Sequence, residues 1–141
     1  MAVDIIDNAK MWLITAQATI ERQVYPTALY SIEMSVELAV KGVMFNLGVD
    51  VPKVHNITPL IREIFAEKQS MLPKEFIENE PFIIDTFSIL LDLRPAAGYA
   101  YERNINNESM KESAQKYVKS AAQIIMLCQK AIIHIQKNAR K

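Results

Sequence analysis

Glycine is scarce in this chain: three occur in 141 residues, beside one cysteine and one tryptophan. So few glycines leave no glycine-rich loop to cradle a phosphate. A lone Cys128 excludes an internal disulfide, and with only two histidines there is no Cys/His zinc spacing. Charge of one sign is missing too. The formal net charge is zero and the pI is about 6.7, so nothing global draws the chain to nucleic acid or acidic lipid. Long apolar runs are absent. The most apolar late stretch, Ala121 to Ile135, is broken by Gln123, Gln129, Lys130 and His134, too short and too polar to span a bilayer. Asp4 and Asp7 stand where a secretory signal would be basic and then apolar. Cys128 sits among Ile124, Ile125 and Ile132 as a small core residue, which suits a reducing compartment. The expectation is a cytoplasmic protein with no membrane partner.

What is present is helix. Half of the residues are hydrophobic, and no strand-like alternation is sustained. A first helix is expected from about Val3 to Arg22, with Ile5, Ile6, Ala9, Trp12, Leu13, Ala16 and Ile20 on its apolar face. Pro26 suits the first turn of a second helix running to about Leu47. Ala28, Leu29, Ile32, Val36, Ala39, Val40, Val43, Met44 and Leu47 recur there at three- and four-residue steps. Gly48 is placed to end it. Thr58 followed by Pro59 reads as the cap and first position of a third helix, to about Glu67. The next is expected from Lys74 to Leu93, bent or restarted near Asn79-Glu80-Pro81, with Pro95 ending it. A connection, Arg94 to Asn107, leads to a last helix from Asn107 or Ser109 to about Lys137. Long helices with short links predict one all-α domain over 1–141, an up-and-down bundle of four to five helices.

Two places carry unusual chemistry. The second helix has only Glu33, Glu37 and Lys41 as ionisable groups, each four residues from the last, so all three share one stripe. That stripe must face solvent, a partner chain or another buried charge. A pair of glutamates one turn apart also occurs in di-metal bundles. No Glu-x-x-His accompanies this pair, so an ion-pair stripe with Lys41 and Arg94 is favoured and no metal is expected. The second place is Arg94-Pro95-Ala96-Ala97-Gly98-Tyr99-Ala100-Tyr101. An arginine grips phosphate or carboxylate with two prongs, and a tyrosine stacks on a base or donates a hydrogen bond. The alternative is that Arg94 pairs with Glu33 or Glu37 while the phenols simply pack. Lys130, Lys137, Arg140 and Lys141 gather late in the chain, where cations also suit the last turn of a helix.

The segments Ser35-Val36-Glu37-Leu38-Ala39-Val40-Lys41, Leu47-Gly48-Val49 and Pro52-Lys53-Val54-His55-Asn56-Ile57 with Leu60 resemble the HEPN family (higher eukaryote and prokaryote nucleotide-binding). That family's second helix has an acidic residue with a lysine four positions on. A glycine-containing turn and a His-Asp/Asn-aliphatic helix start follow. The resemblance implies a helical bundle that forms a homodimer, with no cofactor. Many members are metal-independent ribonucleases, often toxins, with an arginine and a nearby histidine from both protomers meeting in a cleft. Many are encoded beside a minimal nucleotidyltransferase that acts as antitoxin. One branch extends the motif to a tyrosine that receives a nucleotidyl group. On this chain Arg94 matches the arginine and Tyr101 the last tyrosine. Tyr99 stands where the histidine would be, and a phenol with a pKa of about 10 is a poor base near neutrality. His55 matches the helix-start histidine and is taken as structural.

Three readings follow. In the first, a toxin–antitoxin-like component engages RNA or nucleotide: Arg94 binds phosphate, Tyr101 stacks or is modified, and Glu37 with Lys41 orients the site. The second is a metal-independent endoribonuclease with Arg94 and Tyr99 as catalytic groups. The third is a non-catalytic dimeric scaffold that docks on a nucleotidyltransferase or another protein.

Overall fold

Helix α1 (Ala2–Glu21) lies along α2 (Tyr25–Asn46), and the two are joined by three residues. The computed structural model describes the backbone of residues 2–98 and 107–139 and the side chains of 5–93 and 108–139. Ala9 and Ala16 of α1 are fully buried, and these small side chains let the two helices approach closely. The link closes with a hydrogen bond from the Val24 N–H to the Thr19 carbonyl (2.9 Å) and one from Gln23 to Ile20 (2.9 Å). That pairing is a Schellman end, and it sets Gln23 at φ 62°. A side chain with a Cβ is strained in that region, by about 1–2 kcal/mol. Gln23→Gly is therefore expected to stabilise the fold by about 0.5–1 kcal/mol, after the extra freedom of the unfolded glycine is counted. Thermal unfolding of the two chains side by side checks it.

The centre of the bundle is α2. It packs against α1, against α5 (Glu80–Gly98) and against α6 (Asn107–Ala139), and its apolar face, from Ala28 to Met44, is buried. Gly42 makes room for this: a Cβ there would stand 3.3 Å from Ile132 Cδ1 on α6. The helix ends as expected at Gly48, φ 79°. The Val49 N–H returns to the Met44 carbonyl at 3.2 Å.

The third helix, α3 (Thr58–Glu67), starts one step differently from expectation. Thr58 is already inside the helix, and Ile57 is the cap residue with no side-chain bond. The Asn56 Oδ1 accepts the Thr58 N–H at 3.3 Å instead. Asn56 takes that role because an Asx side chain readily reaches the backbone two residues on. A single 3-10 turn (Gln69–Met71) then leads to α4 (Lys74–Glu78) and α5 (Glu80–Gly98). The restart at Asn79-Glu80-Pro81 is thus present. Phe65 and Phe76 meet edge to face across α3 and α4, with centroids 5.1 Å apart.

Pro95 does not end α5, which runs on to Gly98. The missing N–H and ring of proline cost about 3 kcal/mol inside a helix. Here only one further turn is involved, and Ala96 and Ala97 are strong helix formers. Arg94 consequently belongs to a helix rather than to a connection. The last helix, α6 (Asn107–Ala139), spans 33 residues. Its inner face includes Ala114, Ala121, Ile125, Cys128, Ile132 and Ile135, all buried. Burial pushes the Cys128 thiol far up, so it is an inert core group. Among the described residues the regular structure is entirely helical, and no helix is long and apolar enough to cross a membrane.

Candidate functional site

The charged stripe of α2 points inward. Glu33 and Glu37 are 0% and 2% exposed, and Lys41 is 8% exposed. One turn of helix separates Glu37 from Lys41, so the Lys41 Nζ reaches the Glu37 Oε2 at 3.0 Å. The same ammonium donates to the Val54 carbonyl at 2.9 Å, which ties the turn before α3 to α2. From that turn His55 reaches back, its Nδ1 lying 2.9 Å from the Glu37 Oε1 and 3.3 Å from Oε2. His55 itself stays open to solvent, its side chain 54% exposed. A buried carboxylate thus binds one buried cation and one exposed imidazole.

Burial alone would raise the Glu37 pKa. Hydrogen bonds with the Glu33, Lys41 and His55 side chains, and the Lys41 charge, outweigh it and hold the carboxyl below its ordinary value. Glu37 is therefore ionised near neutrality and only accepts hydrogen bonds. The His55 Nδ1 must then be the donor. In the neutral ring this puts the free lone pair on Nε2.

Glu33, Glu37 and His55 offer three ligand atoms within 4.8 Å of one another. A divalent cation there would compete for the Glu37 carboxylate with the Lys41 ammonium, 3.0 Å from its Oε2. The geometry reads as an ion-pair and hydrogen-bond network rather than a metal cage.

The structure thus joins two of the residues picked out in the sequence, Glu37 and Lys41, and sets His55, expected to be structural, beside them. The signal was available: a histidine beside the turn that returns the chain to the glutamate-bearing helix. Arg94 stands in α5 four residues after Leu90 and seven after Phe87, in register with the buried row of that helix. Its side chain, and Tyr99 and Tyr101 entirely, lie outside the described residues. His134, on α6, accepts from the Asn138 Nδ2 at 3.0 Å and takes no part in the network.

A family model described as the HEPN domain matches residues 2–131. The chain belongs to the HEPN domain family. The match spans α1 to α5 and most of α6, so in this HEPN chain the network at Glu37 lies well inside the family domain. At family level the HEPN assignment supports a nucleotide- or RNA-related role. No curated protein matches the chain in sequence.

Proposed function

We propose that this HEPN chain engages RNA or a nucleotide through its phosphate, at a site that Arg94 shares with Glu37, Lys41 and His55. It acts as one component of a toxin–antitoxin-like pair whose other member is a minimal nucleotidyltransferase. The observation that carries this reading is the buried Glu37–Lys41 pair with an exposed imidazole on its rim. A bundle core has no need of such a group, and perturbed, hydrogen-bonded charges gather at functional sites. Arg94 supplies the phosphate grip. Tyr101 stacks on a base or receives a nucleotidyl group from the partner enzyme.

The site works in a homodimer on this reading. Tyr30, Met34, Leu38 and Phe45 follow one another at four- and seven-residue steps along the same side of α2, each at least partly exposed. Met11 and Ile14 of α1, each 63% exposed, add to the apolar surface, and Trp12 of α1 meets Tyr30 edge to face at 5.9 Å. A two-fold contact between copies would cover this surface twice over. It would also bring two phosphate sites together and focus positive potential despite the neutral chain.

Binding of a labelled single-stranded RNA at fixed low salt, wild type beside Arg94→Ala, tests the proposal. Loss of a charged hydrogen bond to phosphate costs about 1.5–3 kcal/mol, so binding should weaken by roughly 10- to 100-fold. Growth inhibition on expression should fade in the same variant. Equal RNA binding and equal growth inhibition would defeat the reading.

A further inference from the structure

We infer that a cavity between α4 and α6 binds the C-terminal residue of a partner peptide, one that ends in an apolar side chain and a free carboxylate. The inference goes beyond the phosphate-engaging reading and shares no residue with it, so either can fail alone. Phe76 of α4 and Leu127 of α6, both buried, form the back of the cavity, which holds about 230 Å³ and is half open to solvent. That is below the range of pockets for drug-sized ligands, about 300–1,000 Å³, and suits one side chain with its carboxylate. On α6, Leu127, Lys130, His134 and Lys137 follow one another at three- and four-residue steps, and all four line the cavity. Ile133, 46% exposed, adds an apolar lip. The end of α6 does not account for both lysines. The pull of a helix end on charge fades within the last turn, and Lys130 stands more than two turns before Ala139.

The cavity has two unlike ends, about 10 Å apart along α6 at the helical rise. At one end are His134 and Lys137. Among the described residues no carboxylate pairs with Lys137. The His134 Nε2 takes the Asn138 amide at 3.0 Å, which leaves Nδ1 as the donor of the neutral ring. At the other end Lys130 lies 3.7 Å from the Glu75 Oε1, with both side chains 55% exposed, a contact too open to hold either firmly. Cations alone would suit any anion, phosphate included. Glu75 argues against a nucleic-acid backbone, which it repels, and for a ligand that brings a hydrogen-bond donor to this end. The end of a peptide has the three parts in order: a carboxylate for Lys137 and His134, an apolar side chain for Phe76 and Leu127, and a backbone N–H for Glu75. A free short-chain acid lacks the third.

Labelled pentapeptides ending in leucine, methionine or phenylalanine, each with a free carboxylate, are titrated with the full chain by fluorescence anisotropy. Their C-terminal amides and a pentapeptide ending in glycine serve as controls. Losing a charge-assisted hydrogen bond weakens binding roughly tenfold or more. At least one free-acid peptide should therefore bind that much more tightly than its own amide, and more tightly than the glycine peptide. Lys137→Gln changes an exposed side chain, so it should leave Tm unchanged and weaken the free-acid peptide by a similar factor. Ile133→Ser should weaken the apolar-ended peptides and leave the glycine peptide as it was. Equal binding of acid and amide, unchanged affinity in Lys137→Gln, or no binding of any free-acid peptide up to about 1 mM would overturn the inference. So would displacement by isocaproate at the peptide's own affinity, which would make this a site for free acids. Displacement by single-stranded RNA would assign the lysines to phosphate and overturn it as well.

Discussion

Glu37→Ala is expected to remove about 3–5 kcal/mol of stability, the usual cost of leaving one member of a buried ion pair alone. Lys41, 8% exposed, would keep its charge and the Val54 carbonyl but lose its counter-ion. For a chain of this length the loss corresponds to a fall in Tm of about 10–15 °C. A double-mutant cycle separates the pair from its surroundings. Glu37→Gln with Lys41→Met together should cost clearly less than the sum of the two single changes, because no uncompensated charge remains. The pH dependence has a definite sign. The folded-state pKa of Glu37 lies below its ordinary value of 4.5. Its contribution is thus complete above that value and is lost as pH falls through the lower, folded-state pKa. Glu37→Gln should flatten this acid limb. Glu80 works in the opposite sense, since burial raises its pKa. Protonating it as pH falls favours the folded state and so opposes the acid loss. An acid limb equally steep in Glu37→Gln would show that other carboxylates set it.

The second large effect is expected at Phe87. This side chain is fully buried on α5, and α5 packs mainly against α2. Truncation to alanine should cost about 3–5 kcal/mol, from lost transfer energy and the cavity left behind. The change also reports on function. Phe87 sits two turns before Arg94 in the same row of α5, so a loosened α5 would misplace the arginine relative to α2. RNA binding by Phe87→Ala, measured well below its lowered Tm, should therefore weaken, whereas Gln23→Gly should leave it unchanged. Wild-type affinity in folded Phe87→Ala would mean that α5 holds Arg94 without help from this contact.

Much of the fold was legible because the helices are long and their apolar spacing is regular. α2 shows this best: nine aliphatic positions recur at helical steps, with Gly48 at the end. The failures were local. Thr58 fits a cap by residue type, but the capping oxygen comes from Asn56, two residues earlier. Pro95 reads as a terminator because a proline is costly inside a helix, while the gain from the Ala96-Ala97 turn beyond it is not visible in a local rule. The site was half legible. Glu37 and Lys41 announce themselves by spacing along one helix. His55 lies 18 residues from Glu37, and nothing in periodicity says that the turn between the helices folds back far enough to bring them together. The parts of the site that rest on Tyr99 and Tyr101 lie outside the described residues.

The fastening of Lys41 to the Val54 carbonyl has a consequence of another kind. A helix as uniformly aliphatic as α2 could rotate or slide against its neighbours and still bury much the same surface, because one small apolar side chain replaces another at little cost. Such near-degenerate packings make a shallow energy landscape. Rotating α2 would carry Glu37 away from His55 and leave Lys41 without its carbonyl, turning each competing arrangement into one with a stranded charge. The network therefore acts chiefly on the misfolded alternatives. It widens the gap beneath the native packing more than it deepens the native well, and the bundle folds to a single rotation of its central helix.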